Sequence, residues 1–301
     1  MYRREFLKTV AGASVAALCP GIVQAQQMLP RRLIPGTSEL LPVIGLGSTK
    51  AVLQIPDNGV EPLYNVIDML LEHGGCVIDT APRNEAIDTE FGKLLQDRRW
   101  KDRLFVSSKI NNNGRQQGIE QMEQTQQLFG RRPADLIQVE SMVDIDNHWP
   151  SLKEWKQDGG ARYIGVTVAR NVEHDSMEAF MKKESPDFIQ VNYSVAEPQA
   201  EEKLLPIAQD MGIAVQINRP FMNGTFFDKV KEKDLPGWVS EFECESWAQF
   251  SLKYILSHSA VTCVLTETTN PTHMLDNLQA AFGPMPDSEM KLRMRNFIEN
   301  I

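Results

Sequence analysis

Five short apolar segments, each ending in polar residues, constrain the fold of this chain more than any other feature. They span residues 76–81, 103–110, 135–141, 162–168 and 187–194. Each has β-branched or aromatic residues at its centre and is followed by a longer amphipathic stretch of helical period. Such alternation is typical of repeated βα units around a buried parallel sheet.

The polar ends of these segments are expected to meet in space. In an eight-stranded βα barrel the carboxyl ends of all strands face one pocket. The side chains that the pattern places there are Asp79, Lys109, Glu140, Thr167, Gln190 and Asn192. The sequence therefore predicts a small-molecule pocket lined by charged, hydroxyl and amide groups.

The rest of the chain completes the barrel. Further strands are predicted to end near Gly47 and to span 213–220 and 261–267, and a hairpin turning at 36–38 precedes them. Helices are predicted over 60–72, 85–96, 117–128, 149–158, 172–182, 200–211, 241–257 and from Pro271 onward, with a loop over 221–238. Eight strands alternating with eight helices predict an α/β fold, a (β/α)8 TIM barrel with an N-terminal β-hairpin.

Residues 1–25 differ from the remainder. The pair Arg3 and Arg4 is followed by Phe-Leu-Lys after Glu5, then by a weakly apolar stretch and small residues up to Ala25. This pattern predicts a twin-arginine signal peptide, recognised by the twin-arginine export machinery, and a periplasmic location for a single barrel domain over 26–301. The apolar run is too short for a membrane span. The alternative is a basic amphipathic first helix of the mature fold.

Size, charge and cysteine content limit the kinds of partner and the redox chemistry that this chain is expected to have. The chain has 301 residues, 42% of them hydrophobic, which is enough for one large core. Its net charge of −9 is spread without a basic patch, so nucleic acid is not an expected partner. After residue 25 the cysteines are Cys76, Cys244 and Cys263, an odd number that predicts buried thiols rather than a disulfide framework. The oligomeric state is left open.

Several common site motifs are missing from the sequence. Gly45-Leu46-Gly47 lacks the third glycine and the acidic residue of a dinucleotide fingerprint, so a Rossmann fold is not expected. Zinc-ligand spacings and a GxSxG elbow are also absent from the sequence, and the five histidines are scattered. The sequence therefore predicts no metal site.

Eight motifs follow one another through nearly all of the chain after residue 25. They are LPVIGLGS, VIDTAP with a following FG, VSSKI, DLIQVE, RYIGVT, QVNYS, AEEKLLPIAQDMGIAV and TTNPTHMLDNLQA. This collinear pattern resembles the aldo-keto reductase family and, through INRPF, SWAQ and GPMPD, its exported bacterial members. The resemblance implies reduction of aldehydes or ketones by a nicotinamide cofactor bound across the barrel mouth.

The resemblance also implies a catalytic tetrad, from which this chain departs. The family uses Asp, Tyr, Lys and His, with the Tyr as general acid; Asp79 and Lys109 match the first and third. The Tyr position falls on Asn84, whose carboxamide cannot supply a proton and is expected at best to orient a ligand. The His position falls on Glu140, which is the candidate proton donor because a carboxyl among apolar neighbours can have a raised pKa.

The residues implied for the cofactor groove are partly altered. Gln190 matches the family's carboxamide-binding Gln, but Thr167-Val168 replaces a Ser-Asn pair, and Asn218 followed by Arg219 replaces an aromatic that stacks under the nicotinamide. Residues that match in the last loop are Thr268, Asp276 and Asn277, while Glu267 and His273 replace basic residues that favour a 2′-phosphate. Since a carboxylate repels a phosphate, NADH is at least as plausible a cofactor as NADPH.

Three functions remain open from the sequence. The first is an NAD(P)H-dependent oxidoreductase of aldo-keto reductase type acting on a small carbonyl or enone compound, with altered or weakened catalysis. The second is a catalytically inactive barrel that binds a ligand or partner in the cell envelope. The third is a cofactor-free isomerase or lyase using Lys109 and Glu140. Structural alternatives also exist. They are a buried ion pair for Asp79 and Lys109, a non-catalytic partner of Lys109 for Glu140, a plain loop residue for Asn84, and helix capping for the segment from Thr268 to Asn277.

Overall fold

A computed structural model describes residues 27–301. The predicted signal peptide therefore lies outside the described residues. The described part begins with a hairpin in which β1 (Arg31–Leu33) pairs antiparallel with β2 (Leu40–Pro42). The predicted N-terminal hairpin is confirmed.

Eight parallel strands close into a barrel. In chain order they are β3 (Ile44–Gly47), β4 (Val77–Asp79), β5 (Phe105–Ile110), β6 (Ala134–Val139), β7 (Ala161–Thr167), β8 (Phe188–Asn192), β9 (Ala214–Asn218) and β10 (Val261–Thr266). Each strand pairs with the next, and β10 pairs back onto β3. The predicted (β/α)8 barrel is confirmed, and all eight strands lie where the sequence predicted them to within about three residues at either end.

Helices surround the barrel. They are α1 (Thr49–Leu53), α2 (Ile55–Asn58), α3 (Glu61–Glu72), α4 (Glu85–Leu95), α5 (Arg115–Phe129), α6 (Ile145–Gln157), α7 (His174–Glu184), α8 (Leu204–Met211), α9 (Thr225–Val230), α10 (Trp247–Leu256), α11 (Pro271–Gln279) and α12 (Ser288–Glu299). Their apolar faces pack on the sheet, as the buried Leu63, Ile67 and Leu70 of α3 illustrate. Pro271 opens α11 as predicted, since its missing N–H is not needed in a first turn.

Four helical features differ from the prediction. The short α1 and α2 follow β3, α9 interrupts the predicted loop over 221–238, and α12 is an additional helix. The helix predicted from residue 241 begins at Trp247, because Ser246 caps its first turn by accepting a hydrogen bond from the Gln249 N–H. These short or displaced elements depend on caps and on tertiary packing rather than on periodicity alone.

The amino end of the barrel is closed by the hairpin. Ile34 and Leu41 from the hairpin pack with Phe105, Leu136 and Phe188 of the strands, all less than 4% exposed. Open space therefore remains at the opposite end, where the strands finish.

Two further findings concern the part of the chain that is described. Its three cysteines are free thiols; Cys244 and Cys263 are buried, and Cys76 is half-buried. Within residues 27–301, every helix is too short or too polar to cross a membrane.

Candidate active site

A cavity of about 750 Å³ opens at the carboxyl ends of the barrel strands. Eight of the residues predicted for the site line it: Asp79, Lys109, Glu140, Thr167, Gln190, Asn218, Arg219 and Thr268. They come from the ends of seven different strands and the loops that follow them. This convergence results from the parallel register, which brings successive strand ends to one edge of the sheet.

Asp79 and Lys109 form a buried ion pair at neighbouring strand ends. Lys109 Nζ lies 2.6 Å from each carboxylate oxygen of Asp79, and both side chains are less than 10% exposed. The Thr80 carbonyl, at 3.3 Å, accepts a third hydrogen bond from Nζ. An ammonium has three donors, so Lys109 has none left for a ligand in this arrangement.

Gln190 supports this ion pair from across the barrel. Its Nε2 donates to Asp79 Oδ1 at 3.0 Å and approaches the Oε1 atoms of Gln138 and Gln216 at 3.3 Å. Its Oε1 accepts from Asn218 Nδ2 at 3.3 Å. Gln190 therefore belongs to a buried amide layer that holds the Asp79 carboxylate in place.

Glu140 lies at the end of β6 and faces the same cavity. The side chain is half-buried, and its carboxylate has no hydrogen bond or ion pair within residues 27–301. The backbone that follows is held by the Ser141 N–H, which donates to Thr167 Oγ1 at 3.0 Å. Both carboxyl oxygens of Glu140 are therefore available to a ligand in the cavity.

Left-handed backbone is concentrated around the cavity. Six of the eight described non-glycine residues with positive φ lie in the loops after β6 and β9: Ser141, Met142, Asp144, Arg219, Met222 and Asn223. Such conformations cost free energy and tend to occur where a loop must place a functional group. The two loops carry Glu140 and Arg219 into the cavity wall.

Arg219 is fixed within its loop. Its Nη1 donates to the Ala169 carbonyl at 2.6 Å, and its Nη2 lies 3.7 Å from Glu197 Oε1. Its Nε is shielded from solvent and has no partner in the described chain. Arg219 therefore lines the cavity with its guanidinium held by Ala169 and Glu197.

Asn84 takes a different position from the cavity residues. It is exposed and forms the N-cap of α4, with Oδ1 accepting from the Ile87 N–H at 3.0 Å. Asn218 and Glu140 line the cavity, whereas Asn84 does not. The side chain at the family's Tyr position is therefore used for helix capping.

The remaining predicted residues also lie outside the cavity lining. Asp276 accepts hydrogen bonds from Ser246 and Gln249 at 2.7 Å and so joins α11 to α10. His273 is exposed on α11, and Asn277 is buried there. Asn192 is buried between His174 and Asn171.

The segment before α11 has a capping role. Asn270 is the N-cap of α11 and accepts from the Thr272 N–H at 2.9 Å. The Thr268 hydroxyl accepts from the Asn270 N–H at 3.0 Å while Thr268 also lines the cavity. Capping in this segment, one of the sequence alternatives, is confirmed.

Arg83, which the sequence did not indicate, does not line the cavity but bonds to loops next to it. Its Nη1 donates to the Ala81 carbonyl at 2.7 Å and to Thr80 Oγ1 at 3.0 Å, and its Nη2 donates to the Thr49 carbonyl at 3.1 Å. Burial lowers the pKa of Arg83, and nearby carboxylates oppose this, namely Asp88, Glu267, Glu140 and Asp79. Arg83 therefore joins the loops after β3 and β4 beside the site.

Lys50 and Glu267 close the other edge. A Glu267 carboxylate oxygen accepts from the backbone N–H groups of Lys50 and Ala51. Lys50 Nζ donates to the Asn223 carbonyl at 3.3 Å. Lys50 was not predicted because nothing in its local sequence distinguishes it from a surface lysine.

The cavity suits an extended anionic ligand such as a nicotinamide dinucleotide. Its volume is typical of ligand sites, and its walls carry four cationic side chains against three carboxylates: Lys50, Lys109, Arg170 and Arg219, and Asp79, Glu140 and Glu267. Asn218 Oδ1 is a shielded acceptor without a partner among the described residues. Lys109 is engaged by Asp79, and Arg170 also pairs with Glu173 at 2.6 Å. Lys50, Arg170 and Arg219 are the cations that could reach a pyrophosphate, and the amide groups could hold a carboxamide.

The comparisons with known proteins agree with this architecture. Residues 43–294 match the model of the aldo/keto reductase family. An NADH-specific methylglyoxal reductase of Escherichia coli K12 is 27% identical over 173 residues, which cover 49% of this chain and 52% of that protein. The aldo-keto reductase YhdN of Bacillus subtilis is 26% identical over 178 residues, 54% of this chain and 53% of that protein. The chain thus spans about half the length of these curated relatives.

Solved structures share the fold. The holo form of an aldo-keto reductase from Bacillus halodurans superposes with a TM-score of 0.72 at 19% identity, covering 90% of this chain and 96% of that one. An aldo-keto reductase from Klebsiella pneumoniae in complex with NADPH gives a TM-score of 0.67 at 18% identity, covering 91% and 95%. At these identities the likeness shows the barrel fold alone.

Proposed function

This chain belongs to the aldo/keto reductase family, a family of oxidoreductases, and we propose that it transfers hydride between a nicotinamide cofactor and a small carbonyl or enone compound. The observation that carries the proposal is the buried Asp79–Lys109 pair in a 750 Å³ cavity that also contains the unpartnered Glu140. The Escherichia coli relative is named a methylglyoxal reductase, which supports a small carbonyl substrate here.

Several residues are suited to hold the cofactor. Arg170, Arg219 and Lys50 offer positive charge to a pyrophosphate, and Thr167 and Asn218 offer polar groups to a carboxamide. A bound NADH or NADPH would supply the hydride.

Glu140 takes the role of proton donor in this proposal. During carbonyl reduction the carbon receives hydride and the oxygen takes the proton of the Glu140 carboxyl, giving an alcohol and a carboxylate. The half-buried carboxylate then regains a proton from water at the mouth of the cavity. Lys109 keeps Asp79 neutralised and, with its three donors engaged, acts by fixing the site rather than by giving a proton.

Glu140→Gln tests the proton-donor role. Because general acid catalysis contributes about 10²–10⁴-fold, we expect kcat for carbonyl reduction to fall by that factor while cofactor affinity is kept. Stability should change by less than about 0.5 kcal/mol, since Glu140 has no partner to lose. Asp146→Asn on α6 is a matched control that should leave kcat unchanged. Full activity of Glu140→Gln would reject Glu140 as the donor.

The negative charge of Glu267 affects the preference between NADH and NADPH. Its carboxylate lies in the cavity wall, where it would repel a 2′-phosphate and accept a hydrogen bond from a 2′-hydroxyl. We therefore propose that NADH binds at least as tightly as NADPH. Glu267→Lys should shift the preference toward NADPH, measured as the ratio of the two Kd values, and an unchanged ratio would contradict this assignment.

A second candidate function is a ligand-binding barrel without turnover. It is favoured by the saturated donors of Lys109 and by the capping role of Asn84, which leave the carboxyl groups of Glu140 and Glu267 for proton transfer among the described cavity residues. The cofactor-free isomerase or lyase is disfavoured, because an ammonium paired with Asp79 at 2.6 Å is a poor base. Binding of NADH without turnover of any carbonyl or enone would select the second candidate.

We also propose export by the twin-arginine route, on the basis of Arg3, Arg4 and the following apolar stretch. The test is cell fractionation of the full chain beside an Arg3→Lys/Arg4→Lys variant. Wild-type protein should appear in the periplasm, shortened at its N-terminus, and the variant should remain in the cytoplasm. Equal distribution of the two would contradict export by this route.

A further inference from the structure

The peptide bond that follows Glu140 is held at both ends. Its N–H, which belongs to Ser141, donates to Thr167 Oγ1 at 3.0 Å, and its carbonyl, which belongs to Glu140, accepts from the Val143 N–H at 2.9 Å. A peptide plane that is fixed in this way restricts the backbone dihedrals on either side of it. Those dihedrals set the direction in which the Glu140 side chain enters the cavity wall.

The loop after this peptide bond is strained. Three of its first four residues have left-handed backbone, with φ of 48° at Ser141, 55° at Met142 and 45° at Asp144. Such conformations cost free energy and persist only where the surrounding bonds over-determine them. The far end of the loop is bonded by Asp144 Oδ2, which accepts from the Gly114 N–H at 2.6 Å. Thr167 supports the near end.

The position of Thr167 suits this support. Strands β6 and β7 pair with Val139 opposite Val166, so the next residues, Glu140 and Thr167, lie at the same level of the barrel. Thr167 is 3% exposed, and a β-branched side chain has few χ1 rotamers. Its hydroxyl is therefore a fixed acceptor for the loop of the neighbouring strand.

We propose that Thr167 is a positioning residue that keeps the Glu140 carboxyl at the reacting centre. The inference rests on the proposed function, in which Glu140 gives the proton. Thr167 acts on kcat through Glu140, in addition to any bond that its hydroxyl makes to a cofactor carboxamide. Loss of the hydroxyl leaves the Ser141 N–H unpaired, lets the strained loop relax and moves the proton donor away from the carbonyl oxygen.

The test removes the Thr167 hydroxyl with little change of shape. Values of kcat and of the dinucleotide Kd are measured for Thr167→Val and Thr167→Ser, each alone and combined with Glu140→Gln. Because a small displacement of a catalytic group has a large effect on rate, Thr167→Val should lower kcat about 10- to 100-fold. Thr167→Ser keeps the acceptor and should stay within about threefold of wild type.

The combined variants show whether the effect passes through Glu140. In the Glu140→Gln background, Thr167→Val should lower kcat by less than about twofold, because no proton donor remains to be displaced. A bond from Thr167 to the cofactor alone would instead change Kd, and by the same factor in both backgrounds.

Thr262 provides a matched control on β10. It is 4% exposed and its Oγ1 accepts from the Val215 N–H of the neighbouring strand at 3.0 Å, which is the same kind of bond outside the cavity lining. Thr262→Val should destabilise the protein in urea melts about as much as Thr167→Val, and its kcat should stay within about twofold of wild type.

Hydrogen exchange of the Ser141 amide gives a readout that needs no turnover. Exchange should be faster in Thr167→Val than in wild type and unchanged in Thr262→Val. If Thr167→Val fails to fold, Thr167→Ala replaces it in every comparison.

The outcomes separate this inference from the proposed function. An equal fall in kcat in the wild-type and Glu140→Gln backgrounds, no fall in either, or unchanged exchange of the Ser141 amide overturns the role of Thr167 and leaves the proposed function intact. Full activity of Glu140→Gln, or absence of any turnover, overturns the proposed proton transfer and this inference with it. A fall confined to the wild-type background, rescued by Thr167→Ser and absent from Thr262→Val, supports both.

Discussion

The two ends of the barrel are built in opposite ways. At the amino end the hairpin closes the interior with Ile34 and Leu41, and polar groups are paired: Arg162 bonds both Glu39 and Asp135. At the carboxyl end a 750 Å³ cavity remains, and shielded polar atoms such as Asn218 Oδ1 and Arg219 Nε lack partners in the described chain.

The two ends of the barrel therefore differ in the role that we expect of them: one stabilises the fold and the other binds a ligand. Six of the eight described non-glycine residues with positive φ lie in the two loops at the carboxyl end, whereas positive φ at the amino end falls mainly on glycines such as Gly36, Gly130 and Gly212. Unpaired groups and left-handed backbone both cost folding free energy, so they are expected where a ligand compensates for them. We therefore propose that the carboxyl end is the functional end and that the amino end mainly stabilises the barrel.

The largest expected effect comes from breaking the one buried ion pair of the cavity. Lys109→Met leaves Asp79 charged and unpaired, so the free energy of unfolding should fall by about 3–5 kcal/mol in urea melts. The double variant Asp79→Asn/Lys109→Met should recover a large part of this loss without recovering turnover. A single variant as stable as wild type would show that the pair contributes little at this end.

A somewhat smaller loss of stability is expected when a buried side chain is truncated at the amino end of the barrel. Ile34 is 1% exposed, so Ile34→Ala should lower the free energy of unfolding by about 2–4 kcal/mol. Kd for the dinucleotide should stay within twofold of wild type, because the substitution lies at the opposite end of the barrel. A large change in Kd would break the proposed separation of the two ends.

A smaller effect is expected from replacing a left-handed serine with glycine, either at the cavity or away from it. Ser141, at the cavity, and Ser185, at the end of α7, have nearly equal φ values of 48° and 47°. Substituting either residue with Gly should stabilise the protein by about 0.5–1 kcal/mol, the left-handed penalty less the entropy cost of glycine. Ser141→Gly alone should weaken ligand binding. Equal effects of both substitutions on Kd would contradict a functional role for the strained loop.

The smallest effect concerns a partnered carboxylate near the carboxyl end. Glu201 pairs with Lys291 at 2.8 Å and accepts a hydrogen bond from Tyr193. Burial raises the pKa of Glu201, but the bonds from Lys291 and Tyr193 outweigh burial and hold the pKa below 4.5. Because the folded-state pKa is lowered, the stabilisation is present above the unfolded pKa and is lost as pH falls through the folded value.

Urea melts of wild type and Glu201→Gln at pH 7, 5 and 3.5 check this expectation. Wild type should be the more stable protein at pH 7, and the gap should narrow as pH falls below about 4. A gap that does not depend on pH would mean that the carboxylate charge is not what stabilises this contact.

The sequence predicted the barrel because its signal is periodic. The eight strands and most flanking helices recur with apolar cores and polar ends, and this repetition placed Asp79, Lys109, Glu140 and Gln190 at one mouth. The short α1, α2 and α9 were not predicted, because elements of four to six residues contain too few turns to show a period.

The site was only partly predictable for a related reason. Asn84 and Asp276 occupy positions implied by the family pattern, yet their side chains are used for a helix cap and a helix–helix contact. Lys50 reaches the cavity edge, and Arg83 the loops next to the cavity, through loop conformations that leave no trace in local sequence. The orphaned oxygen of Asn218 depends on a chain of hydrogen bonds that only three-dimensional coordinates reveal.

We propose that the carboxyl end of this barrel is a working dinucleotide site. Its most direct test is a titration of the purified protein with NADH and NADPH, following tryptophan quenching and the emission of the cofactor. We predict saturable binding, with NADH at least as tight as NADPH. Absence of binding by either dinucleotide up to millimolar concentration would contradict the account.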